Sequence, residues 1–168
     1  YIPCGTIKGT VGDFIDDVEA GQVVVIDNSG RLDCTVWGDI MTFTAKTKGI
    51  AATIIDGVCR DVDGIKKLDY SVYTKGRYMV TGKERVQVDH VNEPVSISGV
   101  QVCPGDIILG DDSGVIAIPK EAAERILETA EKIERTEQLI IEEVKNGSTL
   151  KAARAKLGYH HLQTKENS

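Results

Sequence analysis

The chain contains no apolar run of about 18 residues, so no membrane-spanning helix is expected. Its cysteines form no CxxC pair. Cys4, Cys34, Cys59 and Cys103 stand far apart, which argues against a zinc site or a disulfide framework and for free thiols in a reducing compartment. The three histidines, His90, His160 and His161, make no ligand pattern with them, and the adjacent His160 and His161 are not read as a metal pair. No stretch concentrates Lys and Arg, and the net charge is -6, so nucleic acid is not an expected partner. No GxGxxG loop follows a strand, which removes the motif that a methyltransferase-type cofactor site would need. No secretory leader is visible either, and a cytoplasmic protein is expected. The sequence opens at Tyr1 rather than Met, and the expectation is that an N-terminal segment is missing from it.

What is present reads as one globular domain. The 168 residues allow a sizeable core, and 41% hydrophobic with 27% charged residues places the chain away from disorder. "DFIDDVEAG" fits a short helix with Phe14, Ile15 and Val18 on one side. "QVVVIDNSG" is a buried strand closed by a turn at Asn28, Ser29 and Gly30. "GDIMTFTAKTKG" predicts a helix from Gly38 or Asp39 to Gly49, with Ile40, Phe43, Thr44 and Thr47 sharing a face. "IAATII", 50–55, is a second buried strand. Further on, "VSISGVQV" is a hairpin candidate about Gly99, "PGD" and "DDSG" are turns, and "GVIAIP" closes the sheet region. From Lys120 to Asn146 apolar residues recur at helical spacing, with Gly147 as the stop. Ser148 or Thr149 then caps a short helix expected to bury Leu150, Ala153 and Leu157. The expected division is a main domain over 1–146 and a helical tail over 147–168.

One spacing has chemical content. Twenty residues separate Asp39 from the adjacent pair Arg60-Asp61. A helix from Asp39 runs out roughly 13 Å, and the following strand returns roughly 18 Å, so both ends meet at one edge. There the first helical N–H groups, those of Ile40 and Met41, favour an anion. Gly38 lets a ligand approach the backbone. Arg60 offers a guanidinium suited to a carboxylate, and Asp61 is a hard oxygen ligand suited to Mg²⁺. Asp39 would orient a metal-bound water. These parts together fit a 2-oxo acid.

Plainer readings stand beside this one. Asp39 can simply cap its helix, and an Arg-Asp pair on a loop is usually solvated. Asp56 and Asp63 are rival ligands, with Asp56 read as a turn former before Gly57. A Schiff-base mechanism needs a desolvated lysine, whereas Lys8, Lys46, Lys48, Lys66 and Lys67 lie in polar text and read as solvated. Glu137, Glu142 and Glu143 read as a solvated helix face rather than as groups donated to a neighbouring site. Trp37 reads as a core or contact aromatic, and Cys59 as packing.

"GDIMTFTAKTKGIAATIIDGVCRDVDGI" followed by "VCPGDIILGDDSGVIAIP" resembles the RraA-like family, over about residues 1–145. That family includes the class II 4-hydroxy-4-methyl-2-oxoglutarate and 4-carboxy-4-hydroxy-2-oxoadipate aldolases, and regulators of ribonuclease E. The resemblance implies an α/β fold, the RraA-like β/β/α sandwich of swivelling-domain type, with a C-terminal helical extension. It implies a metal-dependent lyase that releases pyruvate and also decarboxylates oxaloacetate. Gly38, Asp39, Ile40, Met41 and Arg60 are the implied substrate-binding positions, with Arg60 and Asp39 catalytic. Asp61 is the implied ligand of Mg²⁺ or another divalent cation such as Mn²⁺. Trimers or hexamers with sites between subunits are implied as well. Family members carry a further segment before the position of Tyr1, which in the aldolases supplies an acidic residue to a neighbouring site. The alternative is a non-catalytic ribonuclease E regulator; the regulators lack the metal-binding acid, and this sequence keeps all three residues.

Overall fold

The structure, a computed structural model, describes residues 1–6 and 9–162. The chain divides into two compact units, Tyr1–Pro119 and Lys120–Ser168. The boundary expected at 146 from the sequence falls inside the second of these.

In the first unit, β1 (Ile2–Pro3) is followed by a 3-10 turn at Asp13–Asp17, where the short helix is expected. Then come β2 (Val23–Thr35), α1 (Asp39–Lys48), β3 (Ala52–Cys59), α2 (Val62–Lys67) and β4 (Val72–Arg77). The three strands form a parallel sheet in the order β2-β3-β4. The central strand β3 is buried continuously from Thr53 to Cys59, as a parallel strand covered on both faces must be. Its Ile55 joins Ile26, Ile50 and Ile65 in the core. β5 (Val86–Gln87) pairs with β1. β6 (Val95–Ile97) and β7 (Val100–Val102) form the expected hairpin, whose turn residues Ser98 and Gly99 both have positive φ, at 52° and 83°. A second hairpin joins β8 (Ile107–Asp111) to β9 (Gly114–Ile118) across Asp112 and Ser113.

Two sequence expectations are corrected here. The turn expected at Asn28, Ser29 and Gly30 is a bulge inside one long strand. Asp27 pairs with Asp56, the next pair is Arg31 with Gly57, and Ser29 and Gly30 adopt φ of 52° and 65° to take up the excess. Asp56 is no turn former either, since it lies within β3. Gly57 is required by the bulge: a Cβ there would lie 3.2 Å from both Arg31 O and the Asn28 side chain.

Asp56 is buried and paired, with its Oδ1 at 2.5 Å from Lys75 Nζ and accepting from Ser98 Oγ at 3.2 Å. Burial by itself would raise its pKa, but the hydrogen bond and charge of Lys75, with Ser98, hold it below the ordinary carboxylate value. Its stabilisation is therefore fully present above the unfolded pKa of about 3.9 and is lost as pH falls through the lower folded value. Urea unfolding followed from about pH 6 to about pH 2 should show wild type losing stability faster below about pH 4 than Asp56→Asn. Parallel losses in the two proteins would remove Asp56 from the acid response.

The second unit has a 3-10 turn at Lys120–Ala122, then α3 (Ala123–Lys145) and α4 (Leu150–Lys156). Thr149 is the cap of α4, its Oγ1 accepting from Ala152 N–H at 3.2 Å. Ala153 and Ile140 are buried in this unit, and Lys156 Nζ meets Glu143 Oε1 at 2.7 Å. Leu150, expected to be buried, is exposed; the small Ala153 makes the close contact instead. Among the described residues no helix is long and apolar enough to cross a membrane.

Candidate active site

The helix predicted from Gly38 or Asp39 is observed as α1, with Gly38 as its N-cap and Gly49 as its left-handed stop at φ 73°. The strand predicted to return beside it runs four residues further than expected, to Cys59. This places Arg60 and Asp61 directly after the carboxyl end of β3, at the edge where α1 begins. Arg60 N–H donates to Trp37 O at 3.0 Å and ties the two segments together. Asp61 Oδ2 accepts from the Asp39 backbone N–H at 3.3 Å and stands 3.2 Å from Arg60 Nε. Asp39, Arg60 and Asp61 are thus brought together at one place.

The local conformation of Asp61 is unusual. It is the N-cap of α2 and has φ 58° and ψ 36°. The left-handed region costs an ordinary residue on the order of 1 kcal/mol, less for Asp, whose side chain bonds locally. That turn directs the Asp61 carboxylate back toward the start of α1.

The wall behind the site is rigid. Trp37 is 1% exposed, stacks on Tyr70 with ring centroids 6.3 Å apart, and donates Nε1–H to Thr42 Oγ1 at 2.9 Å. Thr42 in turn donates to Gly38 O at 2.8 Å. Trp37 is therefore a core residue that fixes the N-terminus of α1. Thr42 was missed in the sequence; its spacing of four from Gly38 on a helix was the available signal.

Two expectations about this site change. Ile40 N–H is not open, because it donates to Asp39 Oδ1 at 2.8 Å. A substrate carboxylate would displace that side chain or use the Met41 N–H. Met41 itself packs its side chain against the core. Gly38 is buried, and its missing Cβ makes room for Asp61 and Arg60 rather than for an approaching ligand: a Cβ would lie 2.5 Å from Asp61 Oδ2 and 3.2 Å from Arg60 Nε. The face shared by Ile40 and Phe43 points outward, at 75% and 62% exposure, whereas Thr42 and Ala45 are fully buried. Small residues thus line the inner face of α1.

The rival residues fall in other places. Asp56 is held by Lys75. Asp63 is exposed in the first turn of α2. Lys46 and Lys48 donate to the backbone carbonyls of Asp69 and Asp16, and Lys66 and Lys67 are exposed. Lys8 lies outside the described residues, as does the side chain of His161. Cys59 is buried, and burial pushes its thiol pKa up, which leaves it unreactive. A cavity of about 510 Å³ lies elsewhere, beside Gln22–Asp27, and touches none of the site residues.

The donor set bears on the implied metal. Among the described residues no group of three or more His, Cys, Asp or Glu side chains could enclose an ion. The Asp61 carboxylate is 37% exposed, and among the described residues its interactions run through Oδ2. A single accessible hard oxygen fits Mg²⁺, which keeps several waters and takes one or two protein carboxylates, and does not fit a caged structural ion.

A parallel-stranded α/β unit with an acid, a guanidinium and a second acid at the carboxyl edge of its sheet defines the class. The chain belongs to the RraA-like family: the family model described as RraA-like, Aldolase/RraA, matches residues 4–117. It is 42% identical over 150 residues to protein DlpA of Legionella pneumophila, covering 89% of this chain and 24% of DlpA. It is 36% identical over 138 residues to a Halalkalibacterium halodurans protein provisionally named 4-hydroxy-4-methyl-2-oxoglutarate aldolase, covering 77% of this chain and 64% of that one. The chain therefore spans a quarter of the first relative and just under two thirds of the second. The crystal structure of an uncharacterized protein from Pseudomonas syringae pv. tomato superposes with a TM-score of 0.86 at 42% identity, over 92% of this chain and 70% of that one. The mixed α/β fold is that of the RraA-like family, as the sequence resemblance implies.

Proposed function

We propose that the chain is a divalent-metal-dependent class II pyruvate aldolase, cleaving 2-oxo acids of the 4-hydroxy-4-methyl-2-oxoglutarate type and decarboxylating oxaloacetate. The observation that carries this reading is the Asp61 carboxylate standing within reach of both the Asp39 backbone N–H, twenty-two residues away in sequence, and Arg60 Nε. The aldolase name of a relative supports the lyase class.

In this reading Arg60 binds the substrate carboxylate through its planar guanidinium and faces the keto oxygen on which charge develops. Asp61 would hold the cation, which when bound supplies Lewis-acid polarisation of that keto group. Asp39, exposed at the start of α1, orients a water that takes the proton from the C4 hydroxyl. The C3–C4 bond then breaks, its electron pair stays with C3, and a returning proton completes pyruvate. In oxaloacetate the same electron pair is left by departing carbon dioxide. The reading includes a homotrimer or hexamer with sites between subunits, supported by Ile40 and Phe43 standing exposed beside Asp39.

The test is pyruvate release from oxaloacetate and from 4-hydroxy-4-methyl-2-oxoglutarate, with Mg²⁺ and with EDTA. Release from both with Mg²⁺, and a loss of about a hundredfold or more with EDTA, is expected. Full activity in EDTA points to a lysine Schiff base. Silence on both substrates, with capture of ribonuclease E in a pull-down, moves the assignment to the regulator side of the family.

A further inference from the structure

We propose that Tyr78 is a further substrate-binding residue, its hydroxyl donating to the same 2-oxo acid carboxylate that Arg60 holds. The proposal rests on the aldolase reading of the site and deepens it. β2, β3 and β4 are parallel, so their carboxyl ends lie at one edge. Gly38 stands just past β2 there, Arg60 follows β3, and Tyr78 is the first residue after β4. Cys59 pairs with Arg77, and Tyr78 N–H donates to Cys59 O at 2.9 Å. Arg60 and Tyr78 are therefore next in the register, one strand spacing, ~4.8 Å, apart. Arg60 is flanked by Gly38 on its β2 side and by Tyr78 on its β4 side.

The segment after β4 is held in place. Thr35 N–H donates to Val80 O at 2.9 Å, Thr35 pairs with Thr81, and Val80 packs against the core. Gly82 lets the chain pass Thr35, since a Cβ there would collide with the Thr35 carbonyl oxygen. Tyr78 itself is 46% exposed, and among the described residues its hydroxyl has no partner. The site needs such a donor. A carboxylate offers about four lone-pair sites. Ile40 N–H is spent on Asp39 Oδ1, and Arg60 Nε is turned to Asp61 Oδ2. The helix start and the Arg60 fork thus offer fewer hydrogens than their residue types suggest. A tyrosine hydroxyl on its rigid ring supplies another at little cost in side-chain entropy. Met79 beside it is more exposed but has no hydrogen to donate.

Pyruvate release from oxaloacetate and from 4-hydroxy-4-methyl-2-oxoglutarate is compared in wild type, Tyr78→Phe and Met79→Ala, with Mg²⁺ present. Tyr78→Phe should raise KM about tenfold for both substrates and leave kcat within about twofold, as a loss of uniform binding does. Met79→Ala should match wild type. Pyruvate is also titrated into each protein while the backbone amide shifts of Arg60 and Tyr78 are followed, and Tyr78→Phe should bind it about tenfold more weakly. Unchanged KM with unchanged pyruvate affinity overturns the proposal and leaves the aldolase reading standing. A fall in kcat at unchanged KM overturns it. So does an equal rise in KM in Met79→Ala, which would assign the effect to the segment rather than to the hydroxyl. If wild type releases no pyruvate, the aldolase reading falls, and the titration still decides whether the hydroxyl helps to hold a 2-oxo acid. Absence of pyruvate binding to wild type overturns the proposal as well.

Discussion

Arg60→Ala is expected to lower kcat/KM for pyruvate release by roughly a thousandfold, with the fold intact. The structural link of this residue runs through its backbone, Arg60 N–H to Trp37 O, and survives the substitution. The guanidinium is partly exposed, and its pair with Asp61 is a surface ion pair worth about 0–1 kcal/mol. Stability should therefore change little. On the proposed mechanism the catalytic loss is larger, because the guanidinium would meet charge that grows during the reaction, and an interaction of that kind lowers kcat as well as raising KM. Arg60→Lys separates charge from shape. It restores the positive charge without the two-pronged fork, and should recover only part of the activity. Full pyruvate release by Arg60→Ala, at unchanged metal dependence, would sink the proposed role.

The meeting of Asp39 with Arg60-Asp61 was legible because it depends on two regular elements. A helix out and a strand back have fixed rises, so a count of residues gives a place in space. The hairpin at Ser98-Gly99 and the caps of α1 and α4 were legible for a similar reason, since each rests on a local backbone requirement. What escaped depends on tertiary fit. Asn28, Ser29 and Gly30 have turn composition, but the strand resumes after them because Arg31 and Thr35 pair with β3. Asp56-Gly57 reads as a turn, yet its glycine answers to the bulge in the neighbouring strand and its aspartate to Lys75 on the next strand, β4. The outward placing of Ile40 and Phe43 was equally hidden, because periodicity shows that a face exists without showing which face is buried. The occupation of Ile40 N–H by Asp39 is a side-chain choice that spacing cannot express.

Gly38→Ala is expected to cost roughly a hundredfold in kcat/KM while leaving the protein folded. At φ -151° and ψ -163° the backbone is extended, a conformation alanine adopts freely. The poorer N-cap should cost about 1 kcal/mol. The new methyl, however, would stand 2.5 Å from Asp61 Oδ2 and 3.3 Å from Arg60 Cγ. Asp61 Oδ2 is the end of a flexible side chain, so that carboxylate turns away and the main chain stays. In turning it gives up the Asp39 N–H at 3.3 Å and the Arg60 Nε at 3.2 Å. If Asp61 holds the cation as proposed, a shift of about 1 Å in its carboxylate is enough for such a loss. The metal titration decides the reason for the glycine. If Gly38 serves to seat Asp61, the Mg²⁺ concentration at half-maximal activity rises in Gly38→Ala together with the fall in kcat. If it serves only to let substrate reach the backbone, KM rises alone and the Mg²⁺ dependence stays that of wild type. The crowding of Asp61 and Arg60 around the missing Cβ favours the first outcome, since both side chains lie against the very position that alanine would fill.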